Sequence, residues 1–248
     1  MATTNLKPIK FLPSFLIFGA GALMFLLVER LVLPYLAAKG VHEALLFVTM
    51  AIPHVLFFAG ALIGYRTEGN PWRWDAFRYR FRYRGIRGKM WLWTLLIVLV
   101  NIGLYLAVYQ FAFPLVKMVH DAFPPPEIVT RILGDDQTFA GLAVQGNWPL
   151  LFLFFYYYFF NVLGEEFLWR GYLFPRQELT HGRYTWIVHG LLWTLFHIFA
   201  PYNALLVLPG ALFMSYVVQR TQNNTIFLIS HAVLNGIPLV GLIFKILG

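Results

Sequence analysis

The chain has 248 residues, of which 59% are hydrophobic, 19% aromatic and only 12% charged. A soluble domain carries about 25% charged residues, so the composition excludes a water-soluble globular fold and makes lipid the expected solvent. Lys and Arg number 19 against 11 Asp and Glu; in so apolar a chain this excess reads as membrane topology, with no nucleic-acid partner expected. Cysteine is absent, which removes disulfides, thiolate metal sites and a thiol nucleophile.

A membrane-crossing helix needs about 20 mostly apolar residues. On that basis the fold class is all-α, a polytopic transmembrane helix bundle of about seven spans forming one integral membrane domain over 1–248. In chain order the candidate spans are 11–37, 43–65, 90–113, 148–174, 186–200, 204–219 and 226–246. The first follows Lys7 and Lys10, is longer than a signal peptide's apolar region and lacks a small-residue cleavage site, so it reads as a retained helix. Between the second and third spans lie Arg66, Arg73, Arg78, Arg80, Arg82, Arg84, Arg87 and Lys89. This basic segment belongs in the cytoplasm, and the N-terminus with it. A bacterial inner membrane is the expected location. Within the segment, Phe77 to Tyr83 alternates aromatic and arginine residues, ending at Arg84. That pattern suits an interfacial anchor with rings at the headgroups and arginines on lipid phosphates, or else a substrate-docking surface. The 114–147 segment carries Pro124-Pro125-Pro126 and is expected to hold a short amphipathic helix around 127–133.

Ionisable groups inside a span cost roughly 2.5–3.5 kcal/mol each and are functional hypotheses by default. The fourth span contains Glu165 and Glu166 followed by Arg170. Glu166 and Arg170 are four apart and can pair across one helical turn. Glu165 is rotated about 100° from Glu166 and lines up with Asn161, so its partners must come from neighbouring helices. The fifth span holds His189, Trp193 and His197; the last holds His231 and Asn235, one turn apart. At about 1.5 Å per residue, Glu165, His197, His231 and Asn235 lie roughly 14, 16, 9 and 15 Å from the same membrane face. They should therefore share one slab, with a cavity opening to the cytoplasmic side. A carboxylate and an imidazole aimed at one water can deprotonate it, while another imidazole and a carboxamide can donate to an oxyanion. The same polar cluster could instead serve a proton or solute transporter, or a non-enzymatic scaffold or immunity protein.

Glu165-Glu166-x-x-x-Arg170, then Trp193-x-x-x-His197, then His231-x-x-x-Asn235 resembles the three-motif signature of the CAAX protease and bacteriocin-processing family, which includes the Ras-converting CAAX endopeptidases. Gly164 to Leu173 is particularly similar to the first motif, and the family-like core spans 148–240. The second motif often opens with Phe where this chain has Trp193. The resemblance implies an intramembrane endopeptidase acting on a peptide or protein substrate at the lipid bilayer. It implies Glu165 as general base with His197 assisting, His231 and Asn235 at the oxyanion, and Glu166 and Arg170 holding the site in shape. His189 is outside the signature and reads as structural. Two Glu and two His could ligate zinc, but adjacent Glu165 and Glu166 diverge on a helix. The resemblance therefore implies a metal-free glutamate mechanism with no cofactor, and zinc is the alternative.

Overall fold

The computed structural model describes residues 6–248. Five of its helices are long and apolar enough to cross a membrane: Phe11–Ala38 (α1), Glu43–Thr67 (α2), Lys89–Phe111 (α4), Pro201–Thr221 (α10) and Asn224–Leu247. The last is divided at Gly236 into Asn224–Asn235 (α11) and Ile237–Leu247 (α12). The expected spans at 148–174 and 186–200 are also helical. The first is α7, Leu150–Glu165, running into a π-helical segment, Glu166–Leu173, and then α8, Phe174–His181. Its three consecutive tyrosines, Asn161 and the two glutamates lower its apolarity. The second is α9, Thr185–Phe196, followed by a 3-10 turn, His197–Phe199. Twelve residues rise only about 18 Å, short of a hydrocarbon core of about 30 Å. Pro201-Tyr202-Asn203 form the first turn of α10 rather than a linker, since proline suits the opening position of a helix.

Large side chains point outward along the spans, among them Leu16, Leu23, Leu92, Leu99, Phe111 and Phe152. This is the surface a bilayer covers. Inward, Phe18, Phe25, Phe57, Trp169, Trp193, Phe196 and Phe227 form the central core. At the opposite end from the basic segment, Phe47, Val129, Ile132, Phe139, Leu150 and Ile246 form a second core under the 114–147 segment. That segment folds as Phe113–Ala122 (α5), Glu127–Leu133 (α6) and a two-stranded hairpin, Thr138–Phe139 (β1) with Leu142–Ala143 (β2). The helix expected at 127–133 is there.

The two π-helical segments each precede a proline. Val28–Val32 lies before Pro34, and Glu166–Leu173 before Pro175. Proline has no N–H, so the carbonyl four residues earlier loses its helical donor; for Pro175 that carbonyl is Gly171. Arg80 Nη1 donates to the Gly171 carbonyl at 2.9 Å, and Asn224 Nδ2 donates to that of Arg170 at 3.0 Å. The wider π turn thus directs carbonyls sideways, and side chains from elsewhere satisfy them.

Arg80 comes from the basic segment, whose aromatic-arginine stretch turns its rings inward and not toward lipid headgroups. Trp74–Arg80 is a helix (α3), and Arg82 at φ 57° turns the chain after it. Phe77, Phe81 and Tyr83 are buried together against Phe167. Arg80 is buried and forms a bidentate pair with Glu68, at 2.6 and 2.7 Å. The period-two alternation fails because a helical turn brings Phe77, Arg80 and Phe81 to one face, leaving Arg78 and Tyr79 outside. A Cβ on Gly171 would stand 2.0 Å from the Phe81 ring, so only glycine lets the segment seat there.

Glu68 also accepts from Arg176 at 2.6 Å. Burial alone would raise the Glu68 carboxyl, but the hydrogen bonds and charge of Arg80 and Arg176 outweigh it and hold the group below its ordinary value. A carboxyl depressed in the folded state stabilises above its unfolded pKa and loses that contribution as pH falls through the folded value. Glu68→Gln should therefore lower stability in detergent by roughly 3 kcal/mol at neutral pH. Thermal unfolding of the variant and the parent should converge as the pH drops below the carboxylate range; a gap independent of pH would refute this assignment.

Candidate active site

Glu165 ends α7 and Glu166 opens the π segment, and their carboxylates face different partners. Glu165 is 3% exposed and Glu166 fully buried. Trp193 Nε1 on α9 donates to Glu165 Oε2 at 2.9 Å. Asn161, one turn earlier on α7, donates to Glu165 Oε1 at 3.2 Å, and His54 Nε2 on α2 stands 3.5 Å from the same oxygen. Gly164 makes the last approach possible, because a Cβ there would lie 2.3 Å from the His54 carbonyl oxygen.

Glu166 meets α11 instead. Its Oε1 accepts from His231 Nδ1 at 2.7 Å, with Arg170 Nη1 at 3.4 Å. Arg170 is 1% exposed, and its guanidinium lies 3.7 Å from the Trp193 ring and 4.1 Å from that of Phe227. A cation so placed is stabilised by the ring faces as well as by its carboxylate. The expected Glu166–Arg170 pair is therefore present, and His231 joins it.

A carboxylate only accepts, so the proton of His231 that faces Glu166 is on Nδ1. Nε2 then presents a lone pair, and Asn235 Nδ2 donates to it at 2.8 Å. The other Asn235 N–H donates to Asn161 Oδ1 at 2.6 Å. The amide of Asn161 in turn donates to His54 Nε2 at 2.9 Å. One relay thus runs from Glu165 through Asn161, Asn235 and His231 to Glu166. In this arrangement His231 has no free N–H, and of the expected oxyanion pair the donor hydrogens belong to Asn235.

His197 follows the same logic. It sits in the 3-10 turn where α9 stops, and its Nδ1 donates to the Trp193 carbonyl at 2.8 Å. Its Nε2 is left as an acceptor. Irregular backbone at such depth is tolerated where it lines a cavity, and His197 does line one. The cavity, of about 780 Å³, is bordered by Glu165, Trp193, His197, His231 and Asn235 together with Asn161 and His54. The sequence-derived groups thus meet around one space. His189 does not: it is buried between Phe18 and Phe174, with Nδ1 2.7 Å from Gln177 Oε1.

The cavity runs from these groups toward the end of the bundle that carries 114–147, where Phe123, Pro125, Val129 and Leu133 border it. No residue of 66–89 borders it. The aromatic residues of that segment are buried against Phe167 instead. Glu165 and Glu166 face different partners, and among the described residues no three His, Cys, Asp or Glu side chains form a metal-holding group.

Residues 147–237 match the family model described as Rce1-like, type II CAAX prenyl endopeptidase Rce1-like. That stretch of the chain is similar to the CAAX protease family. The match to this family spans Glu165, Glu166, Arg170, Trp193, His197, His231 and Asn235, and leaves out His54 on α2. No curated protein and no solved structure matches the chain.

Sequence reasoning did not single out His54. A histidine in a span directly after Pro53 was visible, but its link to Glu165 depends on α2 packing against α7 at Gly164, which no spacing encodes.

Proposed function

We propose that this membrane endopeptidase cleaves a membrane-associated peptide, a prenylated tail or a leader sequence, with a water activated between Glu165 and His197. The observation that carries the reading is the double use of Trp193. Its indole N–H holds Glu165 and its carbonyl holds His197, so both acceptors border one cavity.

In the proposed reaction Glu165 takes a proton from water, with His197 Nε2 orienting that water. The water oxygen attacks the peptide carbonyl carbon, and the carbonyl oxygen becomes an oxyanion. Asn235 donates to it by turning an N–H away from Asn161 or His231. Collapse breaks the C–N bond, and the proton held by Glu165 passes to the leaving amine. His231 orients Asn235, and Glu166 with Arg170 fixes His231. No step of the proposed reaction is routed through a metal.

Glu165→Gln keeps the shape and one acceptor oxygen but cannot take a proton. It should lower kcat by at least about 100-fold in protein that still folds and purifies as the parent does, and the parent should keep its activity in chelator. Cleavage by Glu165→Gln would overturn the glutamate mechanism, and its loss in chelator would favour zinc. A transporter or scaffold would cleave nothing in either form.

We further propose that the basic segment faces the cytoplasm of a bacterial cell, on the excess of exposed Arg and Lys at that end. The cavity then extends toward the opposite leaflet. With no native cysteine, single cysteines at Tyr79 and Asp136 can be labelled cleanly in intact cells. An impermeant maleimide should reach position 136 and spare 79; the reverse pattern would invert the topology.

A further inference from the structure

The cavity contains a carboxylate that the reaction does not use. Glu29 lies in the π turn Val28–Val32 of α1 and borders the same space as Tyr105, Tyr157 and Tyr202. Its depth follows from Phe25, one turn earlier, whose ring packs on His54 at 4.7 Å and on Phe199 at 4.5 Å. Phe25 is thus level with the Glu165 site, and four residues further along α1 is about 6 Å.

Glu165 and Glu166 each have donors from neighbouring helices. Glu29, among the described residues, has no hydrogen-bond or ion-pair partner. The adjacent Arg30 does not supply one: it is exposed, and its Nη2 donates to the Pro124 carbonyl at 2.7 Å, at the rim. A carboxylate in a span costs about 2.5–3.5 kcal/mol, and only the charge of Arg30, whose guanidinium is drawn to the rim, offsets it in part. The π turn before Pro34 is what aims it inward, since such turns alter which residues of a helix share a face.

We propose that Glu29 is a subsite acid that receives the cationic side chain of a lysine or arginine in the substrate. This rests on the protease reading and adds a specificity to it. Tyr105, Tyr157 and Tyr202 provide an aromatic wall along which the aliphatic stem lies while its charged end reaches the carboxylate. An extended peptide advances about 3.3 Å per residue, so an offset of about 6 Å puts the basic residue within about two positions of the scissile bond.

The test uses full-length protein in phosphatidylcholine nanodiscs, with Glu165→Gln as the background so that binding is read without turnover. The probes are fluorescent farnesylated peptides with lysine or norleucine at each of the two positions on either side of the scissile bond. At one position the lysine peptide should bind roughly tenfold tighter, a difference of about 1.4 kcal/mol. Adding Glu29→Gln should bring that ratio to about one. Equal binding of lysine and norleucine peptides at every position, or a preference that survives Glu29→Gln, would overturn the subsite. A preference abolished by including phosphatidylethanolamine would assign Glu29 to a lipid ammonium group instead, and would also overturn it. The same peptides given to the parent chain separate the two readings. Glu29-dependent binding without cleavage refutes the protease mechanism alone, and cleavage indifferent to lysine refutes the subsite alone.

Discussion

Ionised carboxylates persist inside a bundle of apolar helices only where donors replace the water they have lost, and that requirement organises this protein. Two adjacent glutamates sit at the same depth, so a single helix cannot satisfy both. Glu165 draws Trp193 from α9 and Asn161, which also ties His54 of α2 beside it, and Glu166 draws His231 from α11 and Arg170 from its own turn. Four helices are thereby tied to one point. The relay through Asn161 and Asn235 joins the two carboxylates, so an imidazole, an amide and an indole are oriented by the same interactions that make the burial tolerable.

The prolines contribute the second layer. Pro175 deprives the helix carrying both glutamates of one backbone donor, and the carbonyls freed by it and by the π turn become docking points for Arg80 and Asn224. Arg80 is neutralised by Glu68, and Glu68 by Arg176 as well. The basic segment is therefore a bracket across the end of the bundle. Its aromatic residues pack against Phe167 at that end, and the cavity extends toward the other.

Much of the site was legible because its chemistry is carried by residues a membrane span ordinarily avoids. Glu165, Glu166, Arg170, His197, His231 and Asn235 stand out against their apolar neighbours, and a helical pitch alone pairs Glu166 with Arg170, Asn161 with Glu165, and His231 with Asn235. What pitch cannot give is the partner across helices. That His231 binds Glu166, and so gives up its role as a donor, follows only from the approach of α11. His54 and Glu29 lie far upstream of the matched segment and enter the cavity through packing. The aromatic-arginine alternation misled because a period of two read along eight residues says nothing about a turn of helix that buries Phe77, Arg80 and Phe81 together. Charge counts describe the ends of a bundle, not the space between its helices.

The central claim is that these groups converge with defined proton positions, and nitrogen NMR of histidine-labelled protein in nanodiscs reads those positions directly. At neutral pH, His197 and His231 should both appear as the Nδ1–H tautomer, and Glu166→Gln should perturb His231 while leaving His197 in place. An Nε2–H tautomer at His231, or a spectrum indifferent to Glu166, would mean that the relay between the two carboxylates does not exist.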